Sequence, residues 1–347
     1  MKNEKISVVI PMYNTAAYIE ECLLSVQCQT YEHFECLIVD DGSADSSAEI
    51  VSAFASQDAR FRLIRQEHAG VSGAICNGIQ KASGQWLYFL DSDDWIDAEE
   101  LEHLYLLLDD HQCDMVASNY VIEAGHSEVC SIVRFNGLVE KKDYSRLFYH
   151  QLLCNERYSG IVCGNTRGGK LVRKSIAQEN MYLQEGMVFA EDAILMLGIL
   201  CDCERVYADL NHAGYHYRKH HNSSMHTYGF AYAAHRAAYA QKLRELFAKK
   251  NLAGNALVEQ NYSRFELYNI LGSLNSIGFD MRALEHSDPE TYKWMQQTIE
   301  TLSHLDMKTL GKRNVLLLWM LKHEMFSVLT VLYGVNRFLR YTLKLSK

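Results

Sequence analysis

The sequence predicts an α/β fold: a mostly parallel central sheet covered by helices on both faces, followed by a helical C-terminal region. Three observations lead there. Over the first hundred residues, short apolar runs alternate with segments of helical periodicity. Acidic clusters fall at the ends of several of those runs, and from about residue 228 onward the apolar spacing is helical.

The runs Ile6 to Ile10, Phe34 to Val39, Phe61 to Ile64 and Trp86 to Leu90 read as strands, because each is short, apolar and closed by polar or turn-forming residues. Between them, Ala16 to Gln27, Ser46 to Ala55 and Val71 to Ala82 carry apolar residues at helical spacing. That βαβαβαβ order implies a parallel sheet. Leu101 to Leu108 reads as one more helix, and between about 112 and 225 the pattern loosens into aromatic and Gly-rich segments. Further on, Tyr228 to Phe247, Leu257 to Leu274 and Tyr292 to Leu302 are predicted helices, and with only Pro11 and Pro289 in the chain such helices can run long.

A chain of 347 residues that is 48% hydrophobic can bury a large core in one sizeable domain with additions, or in two. Ten cysteines lie scattered, with only Cys201 and Cys203 close together, so neither a zinc site nor a disulfide framework is expected. Reduced thiols suit a cytosol. The start, Met1 to Lys5 running straight into Ile6, lacks the features of a signal peptide, and no uncharged stretch reaches the roughly 18 to 20 apolar residues of a spanning helix. A cytoplasmic location follows as an expectation.

Charge is uneven. Residues 312 to 347 hold seven Lys or Arg and one Glu, a net of +6, which against −9 for the whole chain leaves −15 for residues 1 to 311. So acidic a bulk argues against nucleic-acid binding. Within 314 to 347 one stripe at helical spacing is small, polar or basic: His323, Ser327, Thr330, Gly334, Arg337, Arg340 or Tyr341, and Lys344. An amphipathic helix of that kind can lie in a membrane interface, or pack on the core or on a second subunit.

The chemistry concentrates after the predicted fourth strand, where Asp91, Asp93 and Asp94 crowd into four positions. In open α/β sheets ligands bind at the carboxyl ends of strands. Asp91 and Asp93 can offer hard oxygen ligands to Mg²⁺ or Mn²⁺, leaving coordination positions for substrate phosphates. The plainer reading is a solvated turn that caps the following helix. Three further clusters match this placement: Pro11-Met-Tyr13-Asn14 after the first strand, Asp40-Asp41-Gly42-Ser43 after the second, and Glu191-Asp192 at the start of a later apolar segment, where a helix N-terminus favours negative charge.

The ordered set Ser7-Val-Val-Ile-Pro-Met-Tyr-Asn14, Ile38-Val-Asp-Asp-Gly-Ser43, Phe89-Leu-Asp-Ser-Asp-Asp94 and Glu191-Asp192 resembles the family 2 glycosyltransferases over roughly residues 5 to 225. Tyr215-His-Tyr217-Arg218 with Ser223-Ser224 is similar to a weaker motif of that family. The resemblance implies a GT-A fold and inverting transfer of a sugar from a nucleotide-diphosphate sugar. Residues 1–225 would form the transferase domain, with 1–110 as the nucleotide-sugar-binding half and 111–225 as the acceptor half, and 226–347 the helical region with its basic tail.

On that resemblance, Pro11, Tyr13 and Asn14 would border the nucleobase, with the Tyr13 ring as a stacking face. Asp41 would accept a hydrogen bond from the uracil imide, which favours UDP-hexose or UDP-N-acetylhexosamine donors. Asp40 and Ser92 would complete the donor wall. Asp93 and Asp91 would hold Mn²⁺ or Mg²⁺, and Asp192 would be the general base, with Glu191 positioning the acceptor or the base. The acceptor implied is a glycan or lipid-linked glycan of bacterial surface polysaccharide, reached by peripheral contact of 313–347 with the inner membrane face.

The chain departs from the family after Gly70-Val-Ser72, where Ile75-Cys76 stands in place of Arg-Asn. The lost Arg removes a donor to the diphosphate or an ion pair. It also motivates an alternative function, a catalytically degenerate member that binds a sugar nucleotide or a partner without turnover. A nucleotidyltransferase would want a Gly-rich basic loop after the first strand, which Pro11-Met-Tyr13-Asn14 is not. His216, His220 and His221 carry no metal spacing, though His220 or His221 could reach the diphosphate, and Lys170 in Gly168-Gly-Lys-Leu171 reads as structural.

Overall fold

The computed structural model describes residues 4–130, 136–149, 153, 166–184, 187, 189–219, 230–278, 280–303, 312–329 and 331. The chain divides into two compact units, one of residues 1–148 and 160–223, the other of 149–159 and 224–347.

The first unit opens with the expected alternation: β1 (Ile6–Met12), α1 (Ile19–Gln27), β2 (Phe34–Asp40), α2 (Ser47–Ala55), β3 (Phe61–Arg65), α3 (Gly70–Lys81) and β4 (Trp86–Phe89). Helix α1 begins three residues later than its periodicity suggested. There the Thr15 carbonyl first closes a turn by accepting from the Tyr18 and Ile19 amides. Strands β1 and β4 are buried throughout, which is why they read as continuous apolar runs rather than alternating ones. Helix α3 lies close on β1 because Gly78 has no side chain: a Cβ there would stand 2.3 Å from a Val9 methyl.

After β4 come β5 (Trp95–Ile96) and α4 (Glu100–His111), the helix expected over Leu101 to Leu108, and the stretch whose pattern loosened then contains elements that periodicity did not delimit: β6 (Met115–Ser118), β7 (Tyr120–Glu123), β8 (Ser127–Cys130), β9 (Gly137–Glu140), α5 (Tyr144–Leu147), β10 (Lys170–Arg173), α6 (Lys174–Asn180), α7 (Glu191–Asp202), β11 (Arg205–Asp209) and β12 (Tyr215–Arg218). Four-residue strands are too short to establish a period of two. Among the described residues the large sheet runs β3-β2-β1-β4-β10-β6-β11-β9, with β10 antiparallel to both neighbours and β9 antiparallel to β11. The other six strands share one direction. A smaller sheet runs β5-β12-β7-β8. This mostly parallel sheet with a second small sheet is a GT-A-like α/β fold.

The second unit is helical, with α8 (Phe230–Lys249), α9 (Ala256–Ser276), α10 (Met281–Ser287), α11 (Pro289–Ser303) and α12 (Lys312–Lys322). The Asn255 side chain caps α9 by accepting from the Leu257 and Val258 amides, and Pro289 occupies the first turn of α11, where its missing N–H costs nothing. A core of Leu267, Ile270, Leu271, Leu274, Met295 and Leu318 holds the unit together. The apolar run from 314, expected as one amphipathic helix, is interrupted. Glu324 takes a left-handed conformation (φ 52°), and the Met325 amide reaches back to the Met320 carbonyl at 2.9 Å, which closes α12. Of the basic stripe, Thr330, Gly334, Arg337, Arg340, Tyr341 and Lys344 lie outside the described residues. No helix among the described residues is long and apolar enough to cross a membrane.

One polar cluster pins the first three sheet neighbours together. The Glu35 carboxylate accepts from the Ser7 hydroxyl at 2.6 Å, the Ser83 amide at 2.6 Å and the Ser83 hydroxyl at 2.9 Å, while Lys5 pairs with it at 3.4 Å. Partial burial alone would raise the Glu35 pKa, but these donors pull it from 4.5 down to about 2. A depressed folded pKa means stability that is present above the unfolded value and lost as pH falls toward about 2. Glu35→Gln is therefore expected to cost about 1–2 kcal/mol at neutral pH and to flatten the acid limb below pH 4.5 in denaturant titrations. An unchanged acid limb would refute the assignment.

Candidate active site

The carboxyl ends of β1, β2 and β4 converge, and their loops are laced together. Asn14, left-handed at φ 53°, donates its amide to the Ser43 hydroxyl (3.0 Å) and accepts from the Ala44 amide through its side chain (2.8 Å). The loop after β1 is thus sewn to the loop after β2. Asp40 is buried and holds that second turn by accepting from the Ser43 amide at 2.9 Å. Pro11 is buried within β1, whereas the Tyr13 ring projects with 49% of its surface exposed and meets His68 at a centroid distance of 4.6 Å.

Asp41 is almost fully buried, and both its oxygens are engaged. Oδ1 accepts from the Gln66 side chain (2.7 Å) and the Ala69 amide (2.8 Å), and Oδ2 from the Gly70 amide (2.8 Å), with His68 Nδ1 at 2.9 Å. In this arrangement Asp41 shapes the 66–70 loop beneath the Tyr13–His68 pair. For it to accept from a base as well, one of these donors has to give way.

The loop after β4 presents the acidic cluster. Asp91 leaves its side chain 43% exposed, Ser92 is buried, and Asp93 is partly exposed. Asp94 has turned inward, accepting from the Tyr215 hydroxyl at 2.5 Å and the Arg218 amide at 2.8 Å. Burial, followed by the charges of Asp91 and Asp93, pushes Asp94 up to about 8 against those two hydrogen bonds. Asp94 is therefore the anchor of β12, while Asp91 and Asp93 stay partly exposed on the same loop. The Tyr215 ring fits only because position 168 is glycine: a Cβ there would stand 2.6 Å from it. Arg218 completes the anchor, donating through Nε to the Asp93 carbonyl (2.9 Å) with its guanidinium 4.4 Å from the centre of the Trp95 ring.

The expected acidic pair opens α7. Glu191 and Asp192 sit in its first turn, where the unpaired amides favour negative charge, and Asp192 Oδ1 accepts from the Ala193 amide at 2.7 Å. Burial first, then the Glu191 charge, raises Asp192 to about 7, while Arg167 and the Ala193 amide pull the other way. A carboxylate poised near neutrality suits proton transfer.

Arg167 joins the two acidic groups. It is 6% exposed and reaches Asp91 Oδ1 and Glu191 Oε1, each at 3.3 Å. Its backbone is held by Lys170, whose fully buried ammonium donates to the Thr166 carbonyl (2.7 Å) and the Gly168 carbonyl (3.1 Å), a structural part as expected. Sequence reasoning overlooked Arg167, Gln66 and His68. The available signal for Arg167 was a cation set beside Gly168 and Gly169 in a chain already short of a positive charge at position 75. Ile75 itself is wholly buried, and the Cys76 thiol lies 3.6 Å from the Met181 carbonyl, so both serve packing. His216 pairs with Asp97 and Glu123 and stacks on Trp95, whereas His220, His221, Ser223 and Ser224 lie outside the described residues.

Among the described residues no three His, Cys, Asp or Glu side chains are grouped to hold a metal. The donor set nevertheless suits Mg²⁺ or Mn²⁺. Such ions are commonly held by one or two carboxylates with substrate phosphates and water completing the shell, and Asp91 and Asp93 supply two hard oxygen donors on one loop.

The solved structure of residues 1–349 of S. aureus TarS in complex with UDP-GlcNAc superposes with a TM-score of 0.64 at 18% identity, covering 96% of this chain and 91% of that one, a likeness of fold. In sequence, the glycosyltransferase GlyA of Streptococcus pneumoniae is 42% identical over 118 residues, 34% of this chain and 17% of GlyA. The uncharacterized glycosyltransferase EpsJ of Bacillus subtilis is 30% identical over 220 residues, 63% of this chain and 62% of EpsJ. The chain thus spans only part of these curated relatives. The model of glycosyl transferase family 2 matches residues 7–180, half of the chain, and the chain belongs to that family.

Proposed function

We propose that the chain transfers a hexose or N-acetylhexosamine from its UDP-sugar to a glycan or lipid-linked acceptor, with inversion at the anomeric carbon. What carries this reading is the spacing around Arg167: one guanidinium touches both Asp91 of the donor-side loop and Glu191 of the acidic pair, each at 3.3 Å. The two groups are close enough to act on opposite sides of one sugar carbon. The TarS complex with UDP-GlcNAc favours a uridine donor on the same fold.

The roles follow from the chemistry. Residues 1–110 take the donor, with Tyr13 and His68 as a stacking wall and Pro11, Asn14, Asp40, Asp41 and Ser92 shaping it; residues 111–225 face the acceptor. Asp93 and Asp91 would hold Mn²⁺ or Mg²⁺, whose charge would offset that building on the departing diphosphate. Asp192 removes the proton of the acceptor hydroxyl as that oxygen bonds to the anomeric carbon and the bond to the β-phosphate oxygen breaks. The electron pair leaves on UDP, and a single displacement inverts the centre. The basic residues beyond 312 suit contact with an anionic membrane face, consistent with assembly of a bacterial surface polysaccharide.

Calorimetric titration with UDP, and with GDP as control, tests the donor reading. UDP is expected to bind more tightly with Mn²⁺, and Asp93→Ala to weaken that binding by about tenfold or more. Absence of UDP binding with or without Mn²⁺ would favour a non-catalytic member of the family. Asp192→Asn is expected to keep UDP binding and to lose about 10²- to 10⁴-fold in kcat. Because the base acts deprotonated, kcat/KM for transfer should rise with pH through about 7, and a profile flat across that range would exclude Asp192 as the base.

A further inference from the structure

The family pattern places a cation on α3, where this chain has Ile75, and that side chain is fully enclosed in packing. Arg167 arrives from a different element, the turn before β10, and its guanidinium sits between the donor-side loop and the acidic pair. It is more than nine-tenths buried, its Nε has no hydrogen-bond partner among the described residues, and the carbonyls on either side of it are held by the buried Lys170. A buried guanidinium held by two carboxylates on separate elements has little freedom to move, and it sets the separation of the groups that it joins.

We propose that Arg167 is a positioning residue for the transfer reaction, holding Glu191, and with it the start of α7, against Asp91 so that Asp192 faces the donor carbon at attack distance. It does this from the turn before β10. The inference rests on the transferase reading above.

Two features mark the described part of the segment leading into α7. The Met187 carbonyl accepts from the Ser72 hydroxyl at 3.0 Å, and Ala190, directly before Glu191, is left-handed at φ 56°. A helix start with that backbone depends on contacts to its first residues, and the ion pair from Glu191 to Arg167 is one that crosses to the donor side. Releasing it should loosen the base while leaving the nucleotide wall of Tyr13, Asp41 and His68 untouched. Misplacement by about 1 Å can cost on the order of 100-fold in rate.

The test uses the full chain and three variants: Arg167→Gln, Arg167→Lys, and Arg167→Gln combined with Glu191→Gln. UDP binding with and without Mn²⁺ is read by calorimetry, and kcat and donor KM by product formation. Arg167→Gln is expected to hold UDP affinity and donor KM within about threefold while kcat falls about 100-fold, with Arg167→Lys recovering about tenfold of the loss. The double variant, which also removes the Glu191 charge that Arg167→Gln leaves without its cation, should be no slower than Arg167→Gln. Wild-type turnover with an unchanged kcat in Arg167→Gln overturns this inference alone, as does a loss of UDP binding that matches the loss of kcat. A wild-type chain that binds UDP but transfers no sugar overturns the transferase reading instead.

Discussion

Repulsion among five carboxylates governs this molecule. Asp91, Asp93 and Asp94 leave one strand end, Glu191 and Asp192 open a helix, and the fold brings them together where water is scarce. Charges so placed persist only if each finds a partner. Asp94 is turned inward to Tyr215 and the Arg218 amide, Asp192 rests on the first turn of α7, and Asp91 shares Arg167 with Glu191. Asp91 and Asp93 stay partly exposed on one loop, where a divalent cation would offset their negative charge together with that of a bound diphosphate.

The surrounding architecture serves that balance. A parallel sheet delivers β1, β2 and β4 with their carboxyl ends together, so residues remote in sequence share one rim. Strand β10 enters antiparallel between β4 and β6, which brings the turn carrying Arg167 and Gly168 to the same rim. Gly168 then admits the Tyr215 ring, and Tyr215 in turn holds Asp94. Removing any of these supports leaves a buried polar group without its partner, which costs more than the contact itself is worth.

The parts of this arrangement legible in the sequence are those that local chemistry announces. The four early strands show as apolar runs because they are largely buried, Asp91 and Asp93 stand out because they crowd at a strand end, and Glu191 and Asp192 because they open an apolar segment. Arg167 and His68 do not stand out, since each acquires its meaning from residues 24 or more positions away that only the folded sheet supplies. Strands of four residues in the second half could not declare a period. Asp41 shows the subtler limit: its position was legible, but the four donors around it, which belong to the 66–70 loop, were not.

Two non-glycine residues at this rim take the left-handed conformation, Asn14 and Ala190. For Asn14 the cost is small, because a short amide side chain is at ease there and this one also bonds the Ala44 amide. Ala190 has no such compensation, and the conformation costs roughly 1 kcal/mol that its own side chain cannot offset. The offset has to come from the residues after it. The Ala190 carbonyl accepts the Ile194 amide at 3.0 Å, the body of α7 from Ala193 to Leu200 is buried, and Glu191 is drawn to Arg167. A strained residue immediately before the acidic pair therefore means that the direction of Glu191 and Asp192 is imposed by the helix behind them and the guanidinium beside them. Local preference alone would turn the chain elsewhere.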